Sequence, residues 1–237
     1  MNGMQDNYNS YQGYANQEVA VRKAMVGVYG WMSVALLVSA IVGLYVATNM
    51  NLLYTLVATS AYWIVAIAEV VVVIVLSAKA QKLSTAAAKV WFMVYAVLNG
   101  VTFGSIFAIY GLGIAGYAFF VTAIAFAVMT IYGYVTKTDL TKIGNLFVMA
   151  LFGLVIATIV GLFIQTPGYT MALMYVGVVI FIGLIGYDTQ KIKQLAYAQS
   201  EGMVRNASIL GALTLYLDFI NIFVRLVRIM GRDRWEE

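Results

Sequence analysis

The sequence predicts an all-α integral membrane protein that crosses the bilayer seven times. Two observations predict it. Hydrophobic residues make up 63% of the 237 and charged residues only 10%, against roughly 25% charged in soluble domains. The apolar residues also gather into seven continuous runs, each close to the roughly 20 residues that a span requires. The runs do not alternate as barrel strands do. Backbone groups in lipid must bond to one another, so each run is a helix.

Residues 1–22 are polar and rich in Asn, Gln and Tyr. They lack the basic start and apolar core of a signal peptide, and are read as a disordered or surface-lying cytoplasmic tail. Residues 23–237 form the transmembrane domain. Its spans are placed near 25–47, 57–78, 89–110, 113–135, 144–165, 170–188 and 207–229.

Basic residues fall on alternate connections. Arg22 and Lys23 precede the first span. Lys79, Lys82 and Lys89 lie between the second and third, Lys137 and Lys142 between the fourth and fifth, and Lys191, Lys193 and Arg205 between the sixth and seventh. The connections near 48–56, 111–112 and 166–169 carry none. Basic loops stay cytoplasmic, which puts the N-terminus inside. Arg225, Arg228, Arg232 and Arg234 would then lie outside after a seventh crossing, against the rule; the length of the run favours spanning over re-entry. The plain loops point to a bacterial plasma (inner) membrane. Paired glycines, Gly100 with Gly104 and Gly183 with Gly186, are read as close helix packing.

The chain has no cysteine and no histidine. Disulfides, thiolate chemistry, Ser-His dyads and His-based zinc sites are therefore excluded. No cofactor, resident metal or nucleic-acid partner is expected, and the chain is not read as an enzyme. An intramembrane aspartyl protease is disfavoured, because Asp218 lacks a Gly-x-Gly-Asp context and Pro167 sits in a loop.

Three acids fall within or at the edge of the runs: Glu69, Asp188 and Asp218. A charge at mid-helix costs at least ~2.5–3.5 kcal/mol, so each needs an interior partner. Glu69 lies mid-way along the second run and Asp188 closes the sixth. In the seventh, Thr214, Asp218, Asn221, Arg225 and Arg228 fall within an arc of about 80° at 100° per residue. That polar stripe suits packing against other helices or lining a pore; an Asp–Arg pair that neutralises itself is the bland alternative. If Asp188 and Asp218 meet, both cannot readily ionise in a low dielectric, and the pair would titrate as a unit.

These residues also carry a resemblance. Gly-Tyr-Asp-Thr-Gln-Lys-Ile (186–192) resembles the sixth-span signature of the Bax inhibitor-1 family, and Leu-Tyr-Leu-Asp-Phe-Ile-Asn-Ile-Phe (215–223) with Leu-Val-Arg-Ile-Met-Gly (226–231) resembles its last span. Tyr-Gly-Tyr-Val-Thr-Lys-Thr-Asp-Leu (132–140) is similar to its fourth-to-fifth loop, and Asn-Gly-Val-Thr-Phe-Gly-Ser-Ile-Phe (99–107) to its third span. The resemblance implies seven helices, six wrapped around the C-terminal one. It implies a pH-sensitive calcium leak in which Asp188 and Asp218 form the proton sensor and gate, with calcium a transient guest there, and Glu69 lies on the ion path. It also implies, as an alternative, a non-transporting regulator of a membrane-anchored AAA protease. The family's latch arginine, late in the second span, is absent. Lys79 or Lys82 is the candidate substitute, a point charge without the bidentate reach of arginine.

Overall fold

The structure is a computed structural model. It describes the backbone of residues 2–59, 61–79, 83–164, 166–198 and 201–232, and within these the side chains other than those of 2–16, 57, 198 and 201–207. The described residues form helices and short connections, with no strand. The helices are α1 (Asn2–Thr48), α2 (Met50–Ala58), α3 (Ala61–Lys79), α4 (Thr85–Tyr110), α5 (Leu112–Val135), α6 (Thr141–Gly161), α7 (Pro167–Ala198) and α8 (Glu201–Met230).

Seven of them are long and apolar enough to cross a membrane: Gln17–Thr48 within α1, α3 to α6 whole, Pro167–Tyr197 within α7 and Ser208–Met230 within α8. The seven expected spans are thus all present. Three local expectations change. The helix of the first span begins at Asn2, so the segment expected as a disordered or surface-lying tail has a helical backbone continuous with the span. Extending an existing helix adds a hydrogen bond per residue without a new nucleus. The connection expected at 48–56 holds a helix of its own, α2, started by Asn49, whose Oδ1 accepts the Leu52 amide at 3.2 Å. Its Met50, Leu52 and Tyr54 are exposed, which suits a helix lying at the membrane interface.

The third change matters most for function. The sixth span continues past 188 to the end of α7. Lys191 and Lys193 do not break it, because their ammonium groups reach back over aromatic rings while the helix continues. Lys191 Nζ lies 5.5 Å from the Tyr187 ring centroid and Lys193 Nζ 4.5 Å from that of Tyr134. Lys193 also donates to the Tyr134 carbonyl at 2.7 Å.

Helix ends follow local chemistry. Ser84 Oγ accepts the Ala87 amide at 3.2 Å and starts α4. Gly111, at φ 81°, ends α4 and turns directly into α5, a left-handed position that favours glycine. Pro167 opens α7, where a missing N–H costs nothing.

The last helix is the centre of the bundle. Between Ser208 and Met230 most of its residues are buried. It packs chiefly on α1, α4, α5 and α7, while α3 lies outside α4 and α6 lies outside α7. The expected wrapping of six helices around the last is therefore two-layered. Aromatic rings grip the central helix: Tyr216 against Phe92 and Tyr95, Phe219 against Phe119 and Phe126, and Phe223 against Phe103, with centroids 5.3–5.9 Å apart. Each such pair adds about 0.5–1.5 kcal/mol beyond the area it buries.

The glycine pairs do bring helices close. A methyl at Gly100 would meet the Ser39 carbonyl at 2.8 Å, and one at Gly104 would collide with Val46, so α4 lies directly on α1.

Candidate functional site

The site is built where α7 and α8 meet. Asp188 lies nine residues before Tyr197, the end of the α7 span, and Asp218 ten residues after Ser208, the start of the α8 span. At 1.5 Å per residue both are about 14–15 Å deep from the same end of the bundle. Their side chains adjoin each other across the seam. Asp218 is only 4% exposed, and Asp188 is partly buried.

Two ionised carboxylates have only acceptors. A hydrogen bond between them therefore requires a proton on one of them. Asp218 Oδ2 is buried without a partner. Lys191, one turn beyond Asp188, is the cation that acts on it electrostatically.

Close backbone packing holds this geometry. A Cβ on Gly133 of α5 would collide with the carbonyl of Gly186, so α5 lies against the α7 backbone two residues before Asp188. A Cβ on Gly144 of α6 would collide with the Tyr187 ring, and one on Gly183 with Phe147. On the loop side, Gln190 donates from Nε2 to the Thr138 carbonyl at 2.9 Å and accepts the Leu140 amide on Oε1 at 2.9 Å. The 136–140 loop is thereby pinned to α7 two residues beyond Asp188. Within that loop Asp139 accepts from the side chain and amide of Thr141, which holds its carboxyl below its ordinary value.

Glu69 also faces the interior, but elsewhere. Thr102 Oγ1 donates to it at 2.6 Å across α3 and α4, with Tyr95 and Tyr216 nearby. Tyr216 and Asp218 are two residues apart, about 200° around the helix, so they point to opposite sides of α8. The structure brings Asp188 and Asp218 together and leaves Glu69 behind the central helix. Next to Glu69 lies a buried knot: Ser39 Oγ donates toward the Ala35 and Ala96 carbonyls at 3.0 and 2.7 Å, and meets Tyr216 Oη at 2.7 Å. With its one proton committed to a carbonyl, Ser39 accepts from Tyr216.

Of the polar stripe of α8, Asp218 is buried and Thr214, Asn221 and Arg225 are partly buried, and the bonds of the last three run along their own helix. Thr214 Oγ1 donates to the Leu210 carbonyl at 3.1 Å and Asn221 Nδ2 to that of Leu217 at 2.9 Å. Arg225 donates to the Asn221 carbonyl and side chain at 3.0 and 2.9 Å and lies over Phe181. It turns to Asn221, not to Asp218, so the bland Asp–Arg pair is not formed. Arg228 is exposed toward the opposite end. Of the candidate latch residues, Lys79 is exposed at the end of α3, on the α4 side of the bundle; Lys82 lies outside the described residues. Sequence reasoning missed Thr102, Gln190 and Ser39. Thr102 and Gln190 fall within the segments 99–107 and 186–192 that carry the resemblance, while Ser39 is a small polar residue inside an apolar run, which is common where helices pack.

Residues 21–235 match the sequence family described as "Inhibitor of apoptosis-promoting Bax1". The chain is 44% identical over 214 residues to the "Inner membrane protein YbhL" of Escherichia coli strain K12, covering 89% of this chain and 92% of that protein. It is 39% identical over 215 residues to an uncharacterized protein of Deinococcus radiodurans, covering 90% and 92%. It is 36% identical over 222 residues to one of Borreliella burgdorferi, covering 92% and 96%.

Proposed function

The chain belongs to the Bax inhibitor-1 family of membrane proteins, and on that premise we propose that it is a passive, proton-sensitive cation leak of the bacterial plasma membrane, with calcium as the ion. One observation supports this reading: two carboxyl groups adjoin each other at the seam of the central helix and its closest neighbour. With the proton in place the pair holds α7 to α8 and carries one negative charge. Without it the two charges repel in a low dielectric, and the seam loosens. Proton loss is thus the gating event, and Asp188 and Asp218 are the gate.

Carboxylate oxygens suit a hard cation, and calcium takes roughly six to eight oxygens. Two carboxyls supply too few to keep it, which fits passage in preference to storage. Asp218 Oδ2, buried and without a partner, is an oxygen left for the passing ion. Glu69 attracts cations on the far side of α8. Lys191 takes the latch role beside Asp188 that the second-span lysines were expected to fill. The N-terminus and the lysine-bearing loops face the cytoplasm in this reading, and no catalytic role is proposed. Regulation of a membrane-anchored AAA protease is the second reading. The helical extension of α1 before Gln17 favours it as a docking handle.

The test is calcium flux from proteoliposomes across pH. We expect Asp188→Asn and Asp218→Asn each to flatten the pH response, while the wild type responds steeply. Unchanged flux and unchanged pH response in both variants would contradict the gate.

A further inference from the structure

At the end of the bundle opposite the lysine-bearing loops, the last turns of α4 and α8 and the start of α7 enclose a cavity of about 800 Å³. Its walls include Ser105, Tyr110, Thr166, Thr170, Arg228 and Arg232. Among the described residues that line it there is no Asp or Glu. Arg225 and Arg228 are three residues apart and share one face of α8, and Arg232 lines the cavity from just past the end of that helix. Arg225 lies one turn below the cavity and is within electrostatic reach of Arg228. Its Nε is buried without a partner, although its amino group bonds to Asn221. Ser105 is 6% exposed, and its Oγ likewise has no partner.

Two further features add donors. The first turn of α7, through Gly168, opens on the same cavity, and the leading amides of a helix carry partial positive charge. The guanidinium fork matches the oxygens of phosphate in two-bonded geometry. Like charges gathered on one wall beside unused donors are stabilised by an anion between them.

We propose that this vestibule is a binding site for a phosphate group, held by Arg228 with Ser105 Oγ and the Gly168 amide as additional donors. The group arrives as free phosphate or as the headgroup of an anionic phospholipid; the chemistry recognised is the same. The site uses none of the residues assigned to the proton gate and stands independently of the leak. The rival occupants are the chain's own acids, Asp233, Glu236 and Glu237, which lie outside the described residues.

The test uses the purified full-length protein. Inorganic phosphate is titrated in detergent against chloride at equal ionic strength, and thermal stability is compared in nanodiscs of phosphatidylcholine and phosphatidylglycerol. Saturable phosphate binding that weakens at least tenfold in Arg228→Gln and several-fold in Ser105→Ala, with Lys89→Gln unchanged, identifies a free-phosphate site. Stabilisation by phosphatidylglycerol alone, lost in the same two variants, identifies a headgroup site. If neither ligand has an effect in the wild type, the rival acids or nothing fill the vestibule and the proposal fails. It fails equally if both effects survive in both variants.

Discussion

At the scale of single residues, the interior is set by where a proton or a methyl group can go. Ser39 and Tyr216 illustrate the first. Ser39→Ala leaves the buried Tyr216 hydroxyl without an acceptor, which costs about 1–3 kcal/mol, whereas Tyr216→Phe removes one bond and leaves the Ser39 proton satisfied, at about 0.5–1.5 kcal/mol. Thermal unfolding in detergent should therefore rank Ser39→Ala as the worse of the two. Gly133 illustrates the second. Gly133→Ala drives a methyl into the Gly186 backbone and should cost about 1–3 kcal/mol as an overpacked contact. Gly186→Ala meets only the flexible end of Met129, at 3.2 Å, and should be close to neutral. The acids were legible in the sequence because a charge in an apolar run stands out. Thr102 and Ser39 were not, since a lone hydroxyl in such a run costs little and leaves no pattern. That Lys79 does not stand by Asp188 was illegible too, because it depends on which helices are neighbours.

At the scale of elements, the continuation of α7 past Asp188 changes what the acid is. An interfacial Asp at a helix end would face water; one nine residues from the end of its span is held between helices. The run was read as ending at 188 because charges begin there, and snorkelling lysines imitate a terminus. Gln190 links this extension to the 136–140 loop through two bonds. Gln190→Ala should release that loop, seen as faster hydrogen exchange at the Leu140 amide, with a stability loss of about 1–3 kcal/mol if neither backbone group finds water. Asp139 in the same loop supplies a control for pH. Its hydrogen bonds to Thr141 keep its carboxyl below the ordinary carboxylate range. A lowered folded value means that its contribution is complete above the ordinary range and is lost only as pH falls through the lowered one. Asp139→Asn should accordingly leave any pH response of flux near neutrality unchanged.

At the scale of the whole molecule, seven spans were legible from composition and run length alone, since bilayer thickness dictates both, whereas a buried last helix was implied only by the family resemblance. The layering was not. Sequence gives no sign that α3 and α6 stand in an outer shell, because every helix of the bundle is apolar on most of its surface. The polar end of α8 was legible as a stripe but not as part of a vestibule, which the α6–α7 connection completes. The odd number of crossings predicts that the chain's ends lie on opposite sides of the membrane. The sequence contains no cysteine, so single cysteines at Lys137 and at Asn51 should react with an impermeant maleimide from opposite sides, Lys137 from the side of the N-terminus.

The proposed gate depends on one proton held jointly by Asp188 and Asp218. Infrared titration of the protein in lipid, read at the carboxylic acid carbonyl band, tests it most directly. One protonated carboxyl from this pair is expected, titrating as a single unit, with its wild-type band lost or displaced in Asp188→Asn and in Asp218→Asn alike. A band that persists unchanged in either variant would mean that the two acids titrate separately, and the gate would have no basis.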